Sequence, residues 1–433
     1  MLDIKFILQN KEIVADSIKK RFQDSKLELL DELDEKYNKW KSLKADVDSL
    51  RFQRNSVSEE INKGKKEGKD VSELIDKAKS IPNLIAEKEK ESGALWERIL
   101  EIQLKIPNVL HESVPIGKND SENIERCSFG EPKVFDFEVK NHAELCESLG
   151  IADFDASART SGNGFFYLKG PLALLDQALI RYAIEFLCKK GYVFTQPPLM
   201  IRKRVCDGVL DFSFFSDMVY KIEGEDLYMI GTSEHPLVGQ FVDQEIQKAS
   251  LPIKLAGLSP CFRKEIGSHG LDEKGIFRTH QFNKVEQVIV CEPEDSYKYY
   301  DEILNNSIEL FKGLGIPIRV FESCSGDLGD LKAKGADIEA WSPRQKRYFE
   351  VCSVSNLTDT QARRTNIRVF DGSKRYIPHT LNNTAIATSR AMVAILENFQ
   401  TKKGTVVIPK VLRKYMFGME EITGPDVKFV EEK

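Results

Sequence analysis

The sequence of 433 residues contains no run of about eighteen consecutive apolar residues, so we expect no membrane-spanning helix. Its first ten residues, MLDIKFILQN, lack the basic start and the unbroken apolar stretch of a secretory signal peptide, which favours a cytoplasmic location. Neither G-x-G-x-x-G nor G-x-x-x-x-G-K-[ST] occurs. The two commonest nucleotide-binding loops of parallel sheets are therefore absent.

Closely spaced cysteine pairs are also missing, because none of the eight cysteines belongs to a C-x-x-C pair. The cysteines are Cys127, Cys146, Cys188, Cys206, Cys261, Cys291, Cys324 and Cys352. This scatter predicts reduced, mostly buried thiols in a cytosolic protein. A zinc site built from distant cysteines and glutamates is an alternative, but the cysteine spacing does not indicate one, and we expect no zinc.

Charged residues are abundant but nearly balanced in sign. At 41% apolar and 30% charged, the chain has the composition of a globular protein, and its length allows two or three domains. The formal net charge of −5 does not indicate a nucleic-acid partner. Such binding depends on a local basic patch rather than on the total charge, so the positions of the lysines matter more.

The first hundred residues show a heptad pattern. Leu33, Trp40, Val47 and Ile61 lie at multiples of seven, and charged residues stand between them. One narrow apolar seam of this kind is typical of a long coiled-coil helix. A second apolar stretch runs from residue 71 to 102, after a polar break at 62–70 with two glycines. We therefore predict an antiparallel hairpin of two helices, each about 50 Å long.

The use of this hairpin is open from its own residues. Pro82 lies within the second stretch, so we expect that helix to be bent or split there. A dimerisation coiled coil is the ordinary interpretation, since charged helix faces are usually just solvated. A tRNA-binding arm is the alternative, in which lysines near the turn contact phosphates. These lysines are Lys63, Lys65, Lys66 and Lys69.

The rest of the chain mixes helices and strands. A polar segment, Ser113–Glu131, is predicted to be a linker. Leu172–Lys189 has helical apolar spacing, and short strand-like runs follow at Leu227–Ile230, Val285–Cys291 and Ile318–Phe321. Strands mixed with helices, without regular βαβ alternation, predict an antiparallel α+β domain.

Leu258–Val290 is predicted to be a β-hairpin around a glycine-rich loop, Ile266–Phe277. Alternation along the strands would bring several polar side chains and one aromatic ring to a single face. These residues are Arg263 and Glu265 on the outgoing strand and Arg278, His280, Phe282, Lys284 and Glu286 on the return. Arginines suit a triphosphate and a carboxylate suits an ammonium, so this face is a candidate binding surface. Cross-strand ion pairs on an exposed sheet are the plain alternative.

Three stretches together resemble a known family. Gly191–Met200, Phe262–Glu265 with its F-R-x-E, and Leu381–Arg390 resemble motifs 1, 2 and 3 of the class II aminoacyl-tRNA synthetases. Further elements resemble the seryl-tRNA synthetases within that class. They are T-x-E at Thr232–Glu234, K-V-E-Q at Lys284–Gln287, E-V-x-S at Glu350–Ser353, Q-A-R-R at Gln361–Arg364 and L-N-N-T at Leu381–Thr384.

The resemblance implies an α+β fold with two domains. Residues 1–112 would form the antiparallel coiled-coil arm that binds tRNA, and 113–433 a class II catalytic domain built on an antiparallel sheet flanked by helices. It also implies a homodimer and ATP-dependent activation of L-serine to seryl-adenylate, followed by transfer to tRNA(Ser). Whether tRNA(Sec) is also a substrate is left open.

Two other functions fit this sequence less well. A catalytically inactive paralogue that only binds RNA or a partner should have lost several of the motif residues, which are present here. A ligase that loads a carrier protein would lack the arm and use zinc.

The resemblance also implies the serine-binding residues. They are Thr232, Ser233, Glu234, Arg263, Glu286, Asn382 and Thr384. Serine offers an ammonium and a small hydroxyl, so its pocket needs a carboxylate and hydrogen-bonding groups. A site built to bond the hydroxyl rejects alanine, because its own polar groups would be left unpaired.

The residues implied for ATP come from all three motif regions. They are Arg263, Lys264, Glu265, Arg278, Thr279, Phe282, Glu350, Val351, Cys352, Ser353 and Arg390. Arg263 and Arg390 are the implied catalytic residues, Arg263 at the α-phosphate and the serine carboxylate. Arg278 and Arg390 would contact the γ-phosphate, Phe282 would stack on the adenine and Glu265 would lie near it.

Glu350 and Ser353 are the implied Mg²⁺ ligands, and oxygen donors suit that cation. Strict alternation would send these two side chains to opposite faces, so we expect a bulge or a strand end between them. Cys352 is expected to be a packing residue, because free cysteine is usually buried. The adenylation step needs no general acid or base, so His280 and His235 are expected to be structural.

Overall fold

The computed structural model describes residues 1–210, 218–265 and 275–429. It divides into two compact units, Met1–Val109 and Leu110–Lys433. Among the described residues, no helix combines the length and the apolar character needed to cross a membrane.

The first unit is a helical hairpin preceded by two short helices. Its helices are α1 (Ile4–Gln9), α2 (Lys11–Lys20), α3 (Glu28–Lys66) and α4 (Ser72–Lys105). The heptad pattern correctly predicts the two long helices, which contain 39 and 34 residues. Their seam buries Val47 and Val57 of α3 against Ile81 and Ile85 of α4. Near the start of α3 and the end of α4, a second apolar cluster contains Leu33, Ile99 and Ile102. It also buries Ile7 of α1 and Ile18 of α2.

The turn of the hairpin is shorter than the sequence suggests. The break predicted at 62–70 starts too early, because α3 continues through Gly64, and a glycine in a helix costs only about 1 kcal/mol. The helix ends at Lys66, and Gly68, two residues further on, has a φ of +69°. The N–H of Gly68 donates to the carbonyl of Lys65 (3.3 Å), and that of Lys69 to the carbonyl of Gly64 (2.9 Å). These two bonds form a Schellman C-cap, which requires a residue that adopts a positive φ easily.

Of the bend or split expected at Pro82, the split does not occur, because α4 is continuous from Ser72 to Lys105. A proline inside a helix removes one backbone hydrogen bond and crowds the preceding turn. Its neighbours Ile81 and Ile85 are both buried in the seam with α3. We infer that this packing offsets the local cost of Pro82.

The second unit mixes helices with strands. Its helices within the described residues are α5 (His142–Ser148), α6 (Phe154–Thr160), α7 (Pro171–Lys189), α8 (Lys203–Val209), α9 (Glu234–Gly239), α10 (Ser296–Leu314), α11 (Thr360–Arg364) and α12 (Thr388–Asn398). Its strands are β1 (Ile124–Phe129), β2 (Ala152–Asp153), β3 (Tyr167–Leu168), β4 (Val193–Thr195), β5 (Met200–Ile201), β6 (Tyr228–Met229), β7 (Glu245–Gln247), β8 (Ile253–Phe262), β9 (Gln281–Cys291), β10 (Ile318–Glu322), β11 (Lys334–Ser342), β12 (Arg347–Asn356), β13 (Arg368–Phe370), β14 (Arg375–Tyr376), β15 (His379–Ala387), β16 (Val406–Val407) and β17 (Glu421–Ile422).

Eight of the strands form one large sheet in the order β1-β10-β11-β12-β15-β9-β8-β4. All neighbours in it are antiparallel except β4 and β8, which are parallel. Apolar residues of α7, α10 and α12 pack with those of the sheet in the main hydrophobic core. The prediction of an antiparallel α+β domain is confirmed. The predicted hairpin is β8–β9, and residues 266–274 of its glycine-rich loop lie outside the described residues.

The segment predicted to be a linker contributes the edge strand β1. Ile124–Phe129 pairs antiparallel with β10, so the linker prediction is wrong for these residues. Most of the side chains of β1 are exposed, and the strand is joined to the sheet by backbone hydrogen bonds. An exposed edge strand therefore has no apolar periodicity by which to recognise it.

Candidate active site

A cavity of about 420 Å³ lies over one face of the large sheet, where β8, β9, β12 and β15 meet. It brings together almost all the residues predicted from the sequence. Those that line it are Thr232, Glu234, Arg263, Glu265, Arg278, Thr279, Phe282, Glu286, Glu350, Val351, Cys352, Ser353, Asn382, Thr384 and Arg390. Residues from positions 232 to 390 therefore converge on one site.

Two predicted residues, Ser233 and Lys264, are not part of the lining. The Ser233 side chain is buried, and its Oγ donates to the carbonyl of Gly257, 3.1 Å away. Lys264 directs its ammonium toward the Tyr220 ring, 6.0 Å from the centroid. Each side chain has a partner outside the cavity, so a direct ligand contact is not supported for either.

One end of the cavity holds two carboxylates and their partners. The Oγ1 of Thr232 donates to Oε2 of Glu286 over 3.1 Å. Lys284 forms a buried ion pair with the same carboxylate. Beside them, Gln361 donates to Oε1 of Glu234 over 2.7 Å. This end can bind a small ligand that carries both an ammonium and a hydroxyl, because its carboxylate acceptors and the Thr232 hydroxyl lie close together.

Lys284 was predicted only to lie on the polar strand face, and Gln361 only as part of the Q-A-R-R element. Neither was assigned to a ligand, although both line the cavity. The signal for Lys284 was present, because it precedes Glu286 by two positions on a strand and therefore shares its face. Gln361 lies on α11, and only the folded chain brings it to Glu234.

Glu234 has an unusual titration. Burial, together with the neighbouring Glu286 carboxylate, raises the pKa of Glu234 to about 7 from its ordinary 4.5. A raised pKa means that the native state binds this proton more tightly than the unfolded state does. Its contribution to stability therefore falls as the pH rises from about 4.5 to about 7.

Replacing Glu234 with glutamine should accordingly stabilise the unliganded protein at pH 8, because it removes a buried negative charge beside Glu286. We expect a higher Tm than that of the unsubstituted protein at pH 8, and a difference that shrinks toward pH 5. Thermal unfolding at both pH values measures this. The matched control is Glu309→Gln, at an exposed residue paired with Lys190. An equal Tm difference at the two pH values would contradict the assignment of this titration to Glu234.

Three arginines lie along the cavity, each engaged with the protein. Nε of Arg263 donates to the carbonyl of Gly231 over 3.2 Å, and its guanidinium lies 5.4 Å from the centroid of Phe282. Arg278 pairs with Glu265 over 2.9 Å. These contacts direct positive charge along the cavity, as a polyanionic ligand requires.

Arg390, the third arginine, lies in the first turn of α12. It pairs with the carboxylate of Glu350 over 3.2 Å and also donates to the main-chain carbonyl of that residue over 2.8 Å. Its guanidinium stands 5.6 Å from the centroid of the Phe277 ring. The aromatic ring and the carboxylate together restrict where this cation can point.

The bulge expected between Glu350 and Ser353 is confirmed. Between β11 and β12, Glu339 pairs with Glu350 and the preceding residue, Ile338, pairs with Cys352. Val351 is therefore the extra residue on β12. Such a bulge shifts the alternation by one residue, and both side chains consequently face the cavity. The Cys352 thiol is buried, with Sγ 3.7 Å from the carbonyl of Ala385, as expected of a packing residue.

Asp337 stands opposite Ser353 on β11. Burial raises the pKa of Asp337 to about 6, an effect that the nearby Lys332 ammonium opposes. Lys332 also donates to Oγ of Ser353 over 3.3 Å. Lys332, Ser353 and Glu350 line this end of the cavity, whereas Asp337 lines a neighbouring cavity together with the same three residues.

Strand alternation explains only part of the arrangement. β8 ends at Phe262 and β9 begins at Gln281, so Arg263, Glu265 and Arg278 lie beyond the regular ladder. Glu265 has a φ of +47°, which breaks the alternation there. These three side chains do reach the same cavity as Phe282, Lys284 and Glu286, as predicted, but through the loop rather than through regular strand alternation.

His280 does not share the cavity face, contrary to the same prediction. Its Nδ1 lies 2.9 Å from the carbonyl of Arg263, and its ring packs at 5.2 Å from the ring of Phe165. His235 does line the cavity, but burial lowers its pKa to about 3, so it is neutral near pH 7. The expected structural role suits both positions.

Two family models match the chain. Residues 1–110 match the seryl-tRNA synthetase N-terminal domain, and 218–399 match the tRNA synthetase class II core domain (G, H, P, S and T). A serine–tRNA ligase of Methanocella arvoryzae is 48% identical over 97% of this chain and all of its own length.

Solved structures give the same result. The seryl-tRNA synthetase of Pyrococcus horikoshii, complexed with ATP, aligns with a TM-score of 0.93 and 43% identity, covering 98% of this chain and 100% of that one. The cytoplasmic serine–tRNA ligase of Naegleria fowleri, in complex with AMP, aligns with a TM-score of 0.87 and 34% identity, covering 98% and 99%. This chain belongs to the seryl-tRNA synthetase family of class II aminoacyl-tRNA synthetases.

Proposed function

We propose that the protein is a serine–tRNA ligase that activates L-serine with ATP and transfers the seryl group to tRNA(Ser). The observation that supports this most is the single cavity, in which the Thr232–Glu286 pair lies at one end and three arginines line the rest. A small zwitterionic amino acid and a triphosphate are the two ligands that such a cavity fits together. No described feature favours the inactive-paralogue alternative.

Serine is proposed to bind at the end with the two carboxylates. Glu286 and Glu234 would attract the ammonium, while Thr232 and Thr384 provide hydroxyls for the small side chain. Alanine would leave these buried groups unpaired, at a cost of about 1–3 kcal/mol for each. Threonine adds a methyl group, which must be excluded by pocket size, and size alone discriminates less strongly.

ATP is proposed to lie along the arginines. A carboxylate oxygen of serine attacks the α-phosphorus, the bond from that phosphorus to the bridging oxygen of the β-phosphate breaks, and pyrophosphate leaves. Arg263 lies beside Gly231, next to Thr232 of the proposed serine site, and beside Phe282, where it can stabilise the charge that develops on the α-phosphate. A terminal ribose hydroxyl of the tRNA then attacks the seryl carbonyl, and AMP leaves.

Glu350 and Ser353 are proposed to bind Mg²⁺ together with the phosphates of ATP. The bulge at Val351 directs a carboxylate and a hydroxyl into one cavity, and hard oxygen donors of this kind suit the ion. When bound, the ion would neutralise charge on the phosphate oxygens. Glu350 also positions Arg390, so this carboxylate has two roles.

The arm, residues 1–112, is proposed to bind tRNA, and 113–433 to catalyse both reactions. Four lysines near the turn of the hairpin are exposed: Lys63, Lys65, Lys66 and Lys69. Lys69 pairs with Glu67, an exposed contact worth little, so its charge stays accessible to a phosphate. Nothing in the described arm distinguishes tRNA(Ser) from tRNA(Sec).

A homodimer is also proposed, supported by exposed apolar residues at one sheet edge. β4 is the edge strand, and its Val193 and Phe194 are 62% and 42% exposed. Leu199 and Met200, a few residues further on, are also exposed. Adjacent apolar side chains on a sheet edge are typical of a protein–protein contact. The cytoplasmic location stays a proposal too, supported by the eight free cysteines.

The proposed function is tested by ATP–pyrophosphate exchange with each of the twenty amino acids in turn. We expect exchange with serine, a trace at most with threonine, and none above background with alanine. Exchange with another amino acid but not with serine would overturn the proposed specificity. Absence of exchange with all twenty would instead support an inactive paralogue.

A further inference from the structure

A buried histidine outside the three motifs contacts the return limb of the β8–β9 loop. His142 opens α5, directly after its N-cap Asn141, and is only 1% exposed. Its Nε2 accepts a hydrogen bond from the backbone N–H of Ile276, 3.2 Å away. These two residues are 134 positions apart, and a side chain thus fixes the main chain at a point where the β-ladder has not yet begun.

The backbone beside this contact leaves room for the imidazole. Gly275 has a φ of +128°, a conformation that L side chains rarely adopt. A Cβ at this position would lie 2.2 Å from Nε2 of His142. The close approach of the ring to Ile276 therefore depends on glycine at 275, which marks the contact as a specific fit rather than loose packing.

The other side of the ring faces Glu397, near the end of α12. Nδ1 of His142 lies 3.9 Å from Oε1 of Glu397, whose side chain is also 1% exposed. Ser342 donates to the other oxygen of that carboxylate, and Nε of Arg344 lies 3.4 Å from the first. Because Nε2 must offer a lone pair to Ile276, the neutral ring has its proton on Nδ1, toward the carboxylate. At 3.9 Å the two atoms make no direct hydrogen bond, so the tautomer follows from the Ile276 contact, and Glu397 lies on the other side of the ring.

The residues after Ile276 are those of the proposed ATP site. Ile276 is fully buried, and Phe277, Arg278 and Thr279 follow it into the cavity lining. Phe277 packs edge-on against Phe349 at 5.3 Å and lies beneath Arg390. His142 therefore contacts both the main chain that leads to Arg278 and, through Glu397, the helix that begins near Arg390.

We propose that His142 is a positioning residue for ATP: its Nε2 fixes Ile276, and thereby the placement of Phe277 and Arg278. This inference rests on the proposed function for the identity of the ligand. It predicts an effect confined to the nucleotide, because the serine end of the cavity has its own supports in Lys284 and Gln361.

The test compares two substitutions in the full-length protein. His142→Phe keeps a ring of similar size but has no acceptor, whereas His142→Gln offers an amide oxygen at nearly the same reach. We expect His142→Phe to weaken ATP binding by calorimetry about tenfold, the equivalent of one lost hydrogen bond, and to raise the KM for ATP in the exchange reaction similarly. The KM for serine should change less than about twofold, and His142→Gln should recover most of the ATP affinity.

His111→Phe is the matched control, because that ring packs against Tyr297 at 4.1 Å and does not line the cavity. It should leave both KM values unchanged. Equal loss for ATP and serine in His142→Phe, or equal loss in the Phe and Gln variants with a fall in Tm, would show mere packing and overturn the inference. ATP binding needs no serine, so an unsubstituted protein that binds ATP but does not exchange with serine would contradict only the proposed specificity.

Discussion

Replacing Arg263 with alanine should abolish serine-dependent ATP–pyrophosphate exchange, with a fall in kcat/KM of about a thousandfold or more, as when a group that stabilises transition-state charge is removed. Its side chain donates to the carbonyl of Gly231, next to Thr232 of the proposed serine site, and its guanidinium lies 5.4 Å from the centroid of Phe282. From there it can contact the attacking carboxylate and the α-phosphate together. The exchange assay at saturating serine and ATP measures the loss in kcat, which we expect to dominate.

Two further substitutions show whether this loss is specific. Arg263→Lys keeps the charge but not the planar fork, so it should recover only part of the activity. Arg126→Ala removes an arginine that pairs with Asp301 and Glu322 at the surface, and it should leave exchange unchanged. Arg263 donates to the main chain at Gly231, a single bond whose loss should lower the Tm only slightly. Wild-type exchange rates in Arg263→Ala would contradict the proposed placement of ATP.

The long helices were the most predictable part of the fold. Heptad spacing is a local property, and residues such as Val47 and Ile85 are apolar because the seam requires it. The ends of the helices were less predictable. The turn depends on a Schellman bond pattern at Gly68, and the continuity of α4 at Pro82 depends on packing against the other helix. Neither is contained in the local sequence.

The candidate site was predictable through motifs more than through strand geometry. The bulge at Val351 followed from a physical conflict, because Glu350 and Ser353 could not otherwise share a face. The positions of Arg263 and Arg278 did not follow from alternation, since both lie where the ladder has ended. The directions of these side chains depend on the backbone conformation of the loop, such as the positive φ of Glu265. The pattern of apolar and polar residues does not specify that conformation.

Contacts between distant segments were invisible in the sequence. Gln361 reaches Glu234 across 127 positions, and His142 reaches Ile276 across 134. Gln361 belongs to the Q-A-R-R element, but that element does not show which side chain it contacts, and nothing in the sequence marked His142 as important. Only the folded chain shows that these side chains fix the two ends of one cavity.

Shortening the arm should separate the two reactions of the enzyme. Deleting Leu30–Ile102 would also remove the apolar partners of Ile7 and Ile18, so a shorter deletion is the sharper test. Removing 45–92 and joining Lys44 to Gly93 through a short glycine turn keeps the Trp40–Trp96 contact. We expect serine-dependent exchange to stay within about twofold, and kcat/KM for aminoacylation of tRNA(Ser) to fall by about a thousandfold, since an interface worth roughly 4 kcal/mol or more is removed.

A charge variant of the full-length arm distinguishes phosphate binding from the mere presence of the helices. Changing the four lysines near the turn to alanine keeps both helices, because all four side chains are exposed, but removes the cations. The KM for tRNA should rise. A plot of the logarithm of this KM against the logarithm of the salt concentration should also become less steep, by roughly one unit of slope for each phosphate that the arm no longer neutralises. Unchanged exchange in both variants would place the whole defect in tRNA binding. Efficient aminoacylation by the shortened protein would instead show that the arm, despite its length and its lysines, does not bind the tRNA.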